Sequence, residues 1–490
     1  MTEPHSTNIP RQRIVKTRII ATVGPASESV EALRELVLAG VDIFRLNFAH
    51  GDYEWLSHLV RRIRQVSLEL DWQVGILGDL SGPKIRLGEI AGGEVFCLEG
   101  ATFRFVKGMD SSDPSDLTCT YEQLIDDVTC GDRILLADGT VAMVVIEKAD
   151  DGNSVRCLVT QAGRIRSRQG VNLPGVKLST PCMTEKDRED LKWALQQELD
   201  FIGLSFVRSA DDIRSLQQLI AATAPRVTPL VVAKIEKTEA IDDLEAILEV
   251  TDAVMVARGD LGVEAEISRV PILQKRIIRR CNELRIPVIT ATQMLDSMQS
   301  SDMPTRAEVS DVANAVLDGT DAVMLSGETA VGAHPVLCVR MMDRVASEAE
   351  QLLSESRSTE IFGDEPRRAR PITEAVTRGA VAAATVLNPD LIVVATVTGR
   401  TALALSRYRG RVPIVAITDK EDVARRMCLY WGVTAVVSKV VRQSADALLQ
   451  FVVQWGKRQH LLRSESKVIV VGHTNWLGES HDLMSVHIIP

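Results

Sequence analysis

Aromatic residues are scarce in this chain of 490 residues, at 4% of the sequence, although hydrophobic residues as a whole reach 45%. A core with so few rings must be packed mainly with aliphatic side chains. Aliphatic runs are typical of parallel β-strands that are buried on both faces. The length exceeds that of one ordinary domain and predicts about three.

The sequence also lacks three patterns that would indicate other classes of protein. Its eight cysteines stand singly, with no CxxC pair, so neither a disulfide framework nor a zinc site is predicted. No apolar run approaches the roughly 20 residues that cross a bilayer, and the polar first residues do not form a signal peptide. The net charge of −10, without a basic stripe, argues against nucleic acid or membranes as partners. We therefore expect a cytoplasmic protein.

Short apolar runs alternate with longer helical patterns along much of the chain. Most of the runs begin apolar and end polar, as expected where the carboxyl ends of strands surround an active-site mouth. Eight such runs predict an α/β fold of the TIM (β/α)8 barrel type. They cover residues 17–24, 42–49, 74–80, 201–207, 229–236, 253–260, 287–294 and 322–329.

Two further domains are predicted around the barrel. Between the third and fourth barrel strands, Asp-Gly pairs at 138–139 and 151–152 indicate hairpin turns in an inserted small β-barrel cap, which can close over the mouth as a lid. A charged stretch at 354–371 indicates a linker, followed by an α/β open sheet. The predicted boundaries are 1–87 and 183–353 for the barrel, 88–182 for the cap and 354–490 for the C-terminal regulatory domain.

The ends of the fifth and sixth strands hold the strongest chemical pattern. Lys234 and Glu236 are two apart on a strand and so point to the same face, and Asp260 ends the next strand. Carboxylates from neighbouring strands can hold a hard cation, Mg²⁺ or Mn²⁺, while the absence of His and Cys nearby disfavours zinc. The alternative, a structural ion pair between Lys234 and Glu236, stays open.

Other polar residues lie at or just beyond strand ends. Small residues in the segment 257–262 expose backbone N–H groups that favour an anion, although any βα loop can require glycine. Arg45 and Arg86 are natural partners for phosphate oxygens. For Arg86 taken by itself, a solvated surface arginine is the alternative. Thr292 and Ser326 carry hydroxyls that can relay a proton or simply satisfy the backbone.

Taken together, these motifs resemble those of the pyruvate kinase family. The carrying segments are 17–27 (TRIIATVGPAS), 44–51 (FRLNFAHG), 78–88 (GDLSGPKIRLG), 231–236 (VVAKIE), 254–264 (VMVARGDLGVE), 290–298 (TATQMLDSM), 304–319 (PTRAEVSDVANAVLDG) and 323–332 (VMLSGETAVG).

The resemblance implies transfer of the phosphoryl group of phosphoenolpyruvate to ADP, giving pyruvate and ATP. By analogy, Glu236 and Asp260 ligate the divalent metal, and Lys234 stabilises the phosphoryl group and the enolate. The remaining implied roles are phosphate binding by Arg45, substrate-carboxylate binding by the backbone of Ala257, Arg258, Gly259 and Asp260, proton delivery near Thr292 and Ser326, and nucleotide binding near Asn47, His50 and Arg86.

One departure from the family concerns potassium. Many members hold K⁺ with Asn, Ser, Asp and Thr side chains at positions that are Asn47, Ala49, Asp79 and Leu80 in this chain. They carry Glu where this chain has Lys84, whose ammonium can replace the bound cation. We therefore expect an enzyme that does not require K⁺, with neutral drift of the loop as the alternative.

A second feature lies in the C-terminal domain. The loop that matches an activator-binding loop of the family contains Thr396, Thr398, Gly399, Arg400 and Thr401 between a strand and a helix, which favours a phosphate. A phosphorylated allosteric effector, such as a sugar monophosphate or AMP, is expected. A plain turn without a ligand is the alternative.

Two other functions compete with this interpretation. A phosphoenolpyruvate carboxylase or an aldolase of related barrel type would also use Glu and Asp on magnesium, but without the cap. A degenerate homologue that binds metabolites as a regulator would have lost a central residue, whereas Arg45, Lys234, Glu236, Asp260 and Thr292 are all present. The resemblance further implies a homotetramer.

Overall fold

The computed structural model describes residues 15–108, 113, 115–356, 371–472 and 483–490. It confirms the predicted fold class, since it contains a closed eight-stranded parallel barrel, an inserted β-rich region and a C-terminal α/β sheet. None of the helices in these ranges combines the length and the hydropathy that a bilayer crossing requires. Most of the predicted linker at 354–371 lies outside the described residues.

The chain enters the barrel at once. Helix α1 shows how locally determined these elements are: the Ser29 side chain accepts a hydrogen bond from the Ala32 N–H, and Gly40, at φ +139°, ends the helix. The first elements are β1 Arg18–Thr22, α1 Val30–Ala39, β2 Val41–Asn47, α2 Tyr53–Glu69 and β3 Gly75–Asp79.

The inserted region follows β3 and forms two sheets around one apolar core. Six strands pair in the order β11-β7-β8-β9-β5-β6, and β10 pairs with β4. We call this region the cap. Its elements are β4 Glu94–Cys97, β5 Thr102–Val106, β6 Asp116–Leu117, α3 Leu124–Asp127, β7 Arg133–Leu136, β8 Val141–Lys148, β9 Ser154–Gln161, β10 Gly163–Arg166 and β11 Val171–Asn172.

The chain then completes the barrel, which closes because β16 pairs in parallel with β1. Each of the eight predicted runs overlaps a barrel strand, and only β2 begins outside its run, by one residue. The elements are α4 Glu185–Gln196, β12 Phe201–Leu204, α5 Ala210–Thr223, β13 Leu230–Ile235, α6 Thr238–Asp242, α7 Leu244–Val250, β14 Ala253–Ala257, α8 Arg258–Glu264, α9 Val270–Glu283, β15 Val288–Ala291, α10 Arg306–Asp318, β16 Ala322–Leu325, α11 Gly327–Ala330 and α12 Pro335–Ser356.

The C-terminal region is an open sheet in the order β19-β18-β17-β20-β21, in which β21 alone is antiparallel to its neighbour. Its apolar strands are covered by helices, as expected for an α/β sheet. The elements are α13 Pro371–Leu387, β17 Leu391–Ala395, α14 Arg400–Arg407, β18 Ile414–Thr418, α15 Glu421–Arg426, β19 Val433–Val437, α16 Ala445–Arg458, β20 Lys467–Gly472 and β21 Leu483–Ile488.

The base of the barrel, where the strands begin, carries a repeated hydrogen bond that the sequence reasoning missed. An aspartate stands at the start of the second, fourth, sixth and eighth barrel strands. Its carboxylate accepts a hydrogen bond, at 2.8–3.0 Å, from one backbone N–H of the strand that precedes it in the chain. Three of these carboxylates also pair with arginines, of which two belong to the C-terminal region and the third, Arg18 of β1, donates to its Tyr430 carbonyl. The four acceptors are Asp42, Asp200, Asp252 and Asp321. The C-terminal region is thereby attached to the base, away from the mouth.

Candidate active site

Lys234, near the end of β13, lies at the centre of a buried group of charges. Its Nζ is 3.2 Å from Oδ1 of Asp79 and 3.0 Å from Oε1 of Glu236, and it donates to Oγ of Ser205 at 2.6 Å. Burial alone would lower the pKa of Lys234, but the two carboxylates outweigh it and raise the pKa well above its ordinary value. The ammonium is therefore charged at any physiological pH.

Asp79, at the end of β3, joins Lys234 to Arg45. The Arg45 guanidinium contacts Oδ2 of Asp79 through NH2 at 2.6 Å and Nε at 2.7 Å, and it also donates to the Thr22 hydroxyl at 3.1 Å. Burial would raise the pKa of Asp79, yet Lys234 and Arg45 hold it below its usual range. The Asp79 carboxylate on β3 thus holds two cations, Arg45 on β2 and Lys234 on β13.

Glu236 and Asp260, the predicted metal ligands, lie just beyond β13 and in the first turn of α8. Oε2 of Glu236 accepts the Phe206 N–H at 2.7 Å. The pKa of Glu236 is raised, mainly by burial and also by Asp260, against the opposing effect of Lys234. A cation bound beside Glu236 would relieve this opposition to its charge.

The donor set fits a hard divalent cation. Within the described residues no group of three or more His, Cys, Asp or Glu is placed to hold a metal ion. Two carboxylates alone suit Mg²⁺, which usually takes one or two protein carboxylates and completes its shell with water and substrate oxygens.

The segment after β14 differs from the expected loop, because α8 begins directly at Arg258. The Gly259 N–H, predicted to bind a substrate carboxylate, donates to Oγ1 of Thr292 at 2.7 Å. The Arg258 side chain donates to the carbonyls of Thr292 at 2.7 Å and Gln293 at 3.0 Å, and pairs with Asp311 at 2.5 Å. This guanidinium supports the loop after β15, a use that its spacing in the sequence did not indicate.

Thr292 and Gln293 both have left-handed backbones, at φ +68° and +53°. Such conformations are unfavourable for residues other than glycine and persist where surrounding contacts impose them. The Arg258 hydrogen bonds to both carbonyls supply that constraint. The Thr292 hydroxyl is consequently fixed beside the start of α8.

Ser326 directly follows β16, and its backbone N–H donates to Oε2 of Glu328 at 2.6 Å. The other carboxylate oxygen of Glu328 accepts the Leu295 N–H at 3.1 Å. Buried Glu328 therefore links the loops that carry Thr292 and Ser326. In the sequence, Glu328 was indicated only by its place at the polar end of the eighth predicted run, 322–329.

The predicted nucleotide residues are less buried than Lys234 and Glu236. Oδ1 of Asn47 accepts the Ala49 N–H at 3.2 Å, and His50 is exposed. Arg86 is exposed and donates to the Arg168 carbonyl of the cap at 3.1 Å. The structure thus leaves His50 and Arg86 accessible to solvent.

A cleft separates the mouth from the cap. Lys84 and Asp260 both line it, although they come from the segments after β3 and β14. Lys84 is exposed, and no ion-pair partner for it is found within the part of the chain that the structure describes. Further lining residues are Ile85, Asp138, Asn172, Phe206, Arg208 and Lys237.

The predicted effector loop lies in the C-terminal region, apart from the mouth. Oγ1 of Thr396 accepts the Gly399 N–H at 3.0 Å, and Gly399 has φ +80°. Helix α14 begins at Arg400, so Arg400 and Thr401 belong to its first turn. Thr398 and Arg400 are exposed, while Thr396 and Thr401 are buried.

Known proteins share this architecture over nearly the whole chain. Family models described as "Pyruvate kinase, barrel domain" and "Pyruvate kinase, alpha/beta domain" match residues 14–339 and 374–487. Pyruvate kinase 2 of Synechocystis sp. is 44% identical over 478 residues, which are 97% of this chain and 79% of that protein. The pyruvate kinase of Geobacillus stearothermophilus is 41% identical over 482 residues, 97% of this chain and 80% of that protein.

A crystal structure of a pyruvate kinase from Cryptosporidium parvum is similar to this fold with a TM-score of 0.90, at 35% identity and 97% coverage of both chains. The matches span the barrel strands that bring Lys234, Glu236 and Asp260 to one mouth. Fold, site and similarity agree, and the chain is an enzyme of the pyruvate kinase family.

Proposed function

We propose that this enzyme transfers the phosphoryl group of phosphoenolpyruvate to ADP with Mg²⁺ or Mn²⁺, giving pyruvate and ATP. The observation that carries the proposal is the buried ammonium of Lys234, held between Asp79 and Glu236 at 3.2 and 3.0 Å. Phosphoryl transfer depends mainly on positioning and charge neutralisation, and a fixed cation in a water-poor mouth supplies both.

The surrounding residues divide the work by their chemistry. Arg45, held by Asp79, offers a planar fork of donors for phosphate oxygens. Glu236 and Asp260 would hold the divalent cation, which neutralises charge on phosphoryl and enolate oxygens when bound. Thr292 lies beside the start of α8, and Ser326 directly follows β16. Their hydroxyls would deliver a proton to the enolate carbon. The N–H groups of 257–260 would bind the substrate carboxylate at the start of α8, where the Gly259 N–H now donates to the Thr292 hydroxyl.

Independence from potassium belongs to the same proposal. Ala49 and Leu80 offer no side-chain oxygen, and Leu80 is fully buried among apolar residues. Lys84 lines the cleft together with Asp260, so its ammonium can supply a positive charge near the nucleotide. Lys84→Glu should make activity depend on added K⁺. Unchanged activity of this variant without K⁺ would contradict the idea, and Lys177→Glu, at an exposed position of the cap, is the matched charge control.

Activation by a phosphorylated metabolite rests on the loop of Thr396 and Gly399. The exposed Arg400 begins an eight-residue helix whose first N–H groups favour an anion. We expect Arg400→Ala to weaken activation by a sugar monophosphate or AMP while leaving the unactivated rate unchanged. A homotetramer and a cytoplasmic location stay predictions, as do the domain boundaries.

Pyruvate formation from phosphoenolpyruvate and ADP with Mg²⁺ is the decisive measurement, first without K⁺ and then with it. Similar turnover in both buffers is expected. Turnover only with K⁺ would keep the phosphoryl transfer and remove the role of Lys84. No turnover in either would favour the degenerate regulator.

A further inference from the structure

Two neighbouring side chains just beyond β13 lie opposite two side chains of α8. Glu236 and Lys237 follow each other at the end of β13, while Asp260 and Glu264 are four apart on α8. Residues four apart lie on one face of a helix, so Asp260 and Glu264 both face the end of β13. Lys237 contacts Glu264, and the Asp260 charge is near enough to raise the pKa of Glu236.

The Lys237–Glu264 pair is buried, with only 5% and 6% of the two residues exposed. The ammonium contacts Oε1 of Glu264 directly. Burial raises the pKa of Glu264, and Lys237 opposes this shift. Separating such a pair leaves an uncompensated charge out of water, so the contact strongly restrains the two elements that carry it.

Helix α8 needs this restraint because it has seven residues. A helix this short is not stable by itself, and tertiary contacts decide its position. Arg258 attaches its first residue to the carbonyls of Thr292 and Gln293. Glu264 attaches its last residue to Lys237, and Asp260 lies between the two attachments.

Phe206 ties Lys237 further to the predicted metal ligands. Its ring centroid lies 6.0 Å from the Lys237 ammonium, and its backbone N–H donates to Glu236 at 2.7 Å. A displacement of Lys237 would therefore disturb the contacts of Glu236 as well as the C-terminal end of α8.

We propose that Lys237 and Glu264 are positioning residues that set the separation of the Glu236 and Asp260 carboxylates, and thereby the affinity for the divalent cation. The inference rests on the metal site of the proposed function. Neither residue has to contact the cation, since groups that orient ligands commonly change metal affinity by about 10–100-fold.

The test is calorimetric titration of Mn²⁺ into the full chain without substrate or nucleotide. The double variant Lys237→Met/Glu264→Gln removes both charges and leaves no unpaired one, which favours folding. We expect its Mn²⁺ dissociation constant to rise at least about tenfold. Lys237→Arg, which keeps the charge, should remain within about threefold of the wild type, and Lys275→Met, which removes an exposed lysine of α9, should change nothing.

The outcomes separate the two proposals. Wild-type binding with an unchanged dissociation constant in the double variant overturns the positioning role alone. Absence of Mn²⁺ binding by the wild type overturns the metal site and the inference with it. A thermal melt of each variant is recorded alongside. If the double variant does not fold, Glu264→Asp replaces it, because a shorter carboxylate keeps the charge and must still weaken Mn²⁺ binding.

Discussion

Arg425 and Asp200 form an ion pair between the C-terminal region and the base of the barrel, with Nε and Oδ1 2.7 Å apart. Asp200 is fully buried, and its other oxygen accepts the Ile76 N–H of β3 at 2.8 Å. Arg64 also pairs with this carboxylate at 2.8 Å. One side chain therefore completes a barrel strand and attaches a neighbouring domain.

Removing the arginine from this pair should destabilise the protein. Arg425→Met leaves the buried Asp200 charge with Arg64 alone, and loss of one partner of a buried pair commonly costs about 3 kcal/mol of unfolding free energy. Urea unfolding followed by circular dichroism measures the change. The exposed Arg214–Asp211 pair provides the control, since Arg214→Met should cost less than about 0.5 kcal/mol. Equal effects of the two substitutions would contradict the role of burial.

Lys234→Met should reduce kcat by roughly 10²–10³-fold, because a preorganised charge at the reacting group is lost. The substitution also leaves Asp79 and Glu236 without the ammonium between them, so a lower melting temperature is expected too. Lys234→Arg keeps the charge and should recover part of the melting temperature. A kcat of Lys234→Met within tenfold of the wild type would remove Lys234 from the chemistry.

The Thr292 hydroxyl can be tested by two substitutions of similar size. Thr292→Val keeps the shape but no longer accepts the Gly259 N–H, and we expect a loss of about 10²-fold in kcat, typical of a group involved in proton transfer. Thr292→Ser keeps the hydroxyl and should stay within a few-fold of the wild type. Equal kcat values for the two variants would show that the hydroxyl is not used.

Acid should weaken the contact between α13 and the barrel. Burial alone would raise the pKa of Glu374, but Arg285 and Tyr408 hold it below its ordinary value, and the Tyr408 hydroxyl lies 2.6 Å from the carboxylate. A depressed folded pKa stabilises the protein above the unfolded value of about 4.3, and this contribution disappears as the pH falls through the folded pKa.

The matching variant is Glu374→Gln. Its melting temperature should lie below that of the wild type at pH 6, and the difference should shrink as the pH falls from about 4.5 to 3. Glu35→Gln, at an exposed position of α1, should show no such dependence. A difference for Glu374→Gln that stays constant with pH would contradict the shift.

Local patterns in the sequence determined a large part of this protein. The eight aliphatic runs predicted the barrel because parallel strands that are buried on both faces consist mainly of aliphatic residues. The ends of α1 are also locally determined, because Ser29 and Gly40 limit the helix through hydrogen bonds with neighbouring residues. Lys234 and Glu236 were placed on one face because side chains of a strand alternate with a period of two.

Only the tertiary structure decided which distant side chains meet. Asp79 pairs with both Arg45 and Lys234, and the Arg258 side chain binds the loop of Thr292. Lys237, just beyond β13, contacts Glu264 of α8. None of these contacts follows from spacing along the chain. Each depends on how neighbouring strands and short helices pack, and on which side-chain rotamer is possible in that packing. Sequence periodicity determines the face of an element on which a residue lies, whereas burial in the closed barrel determines its partner.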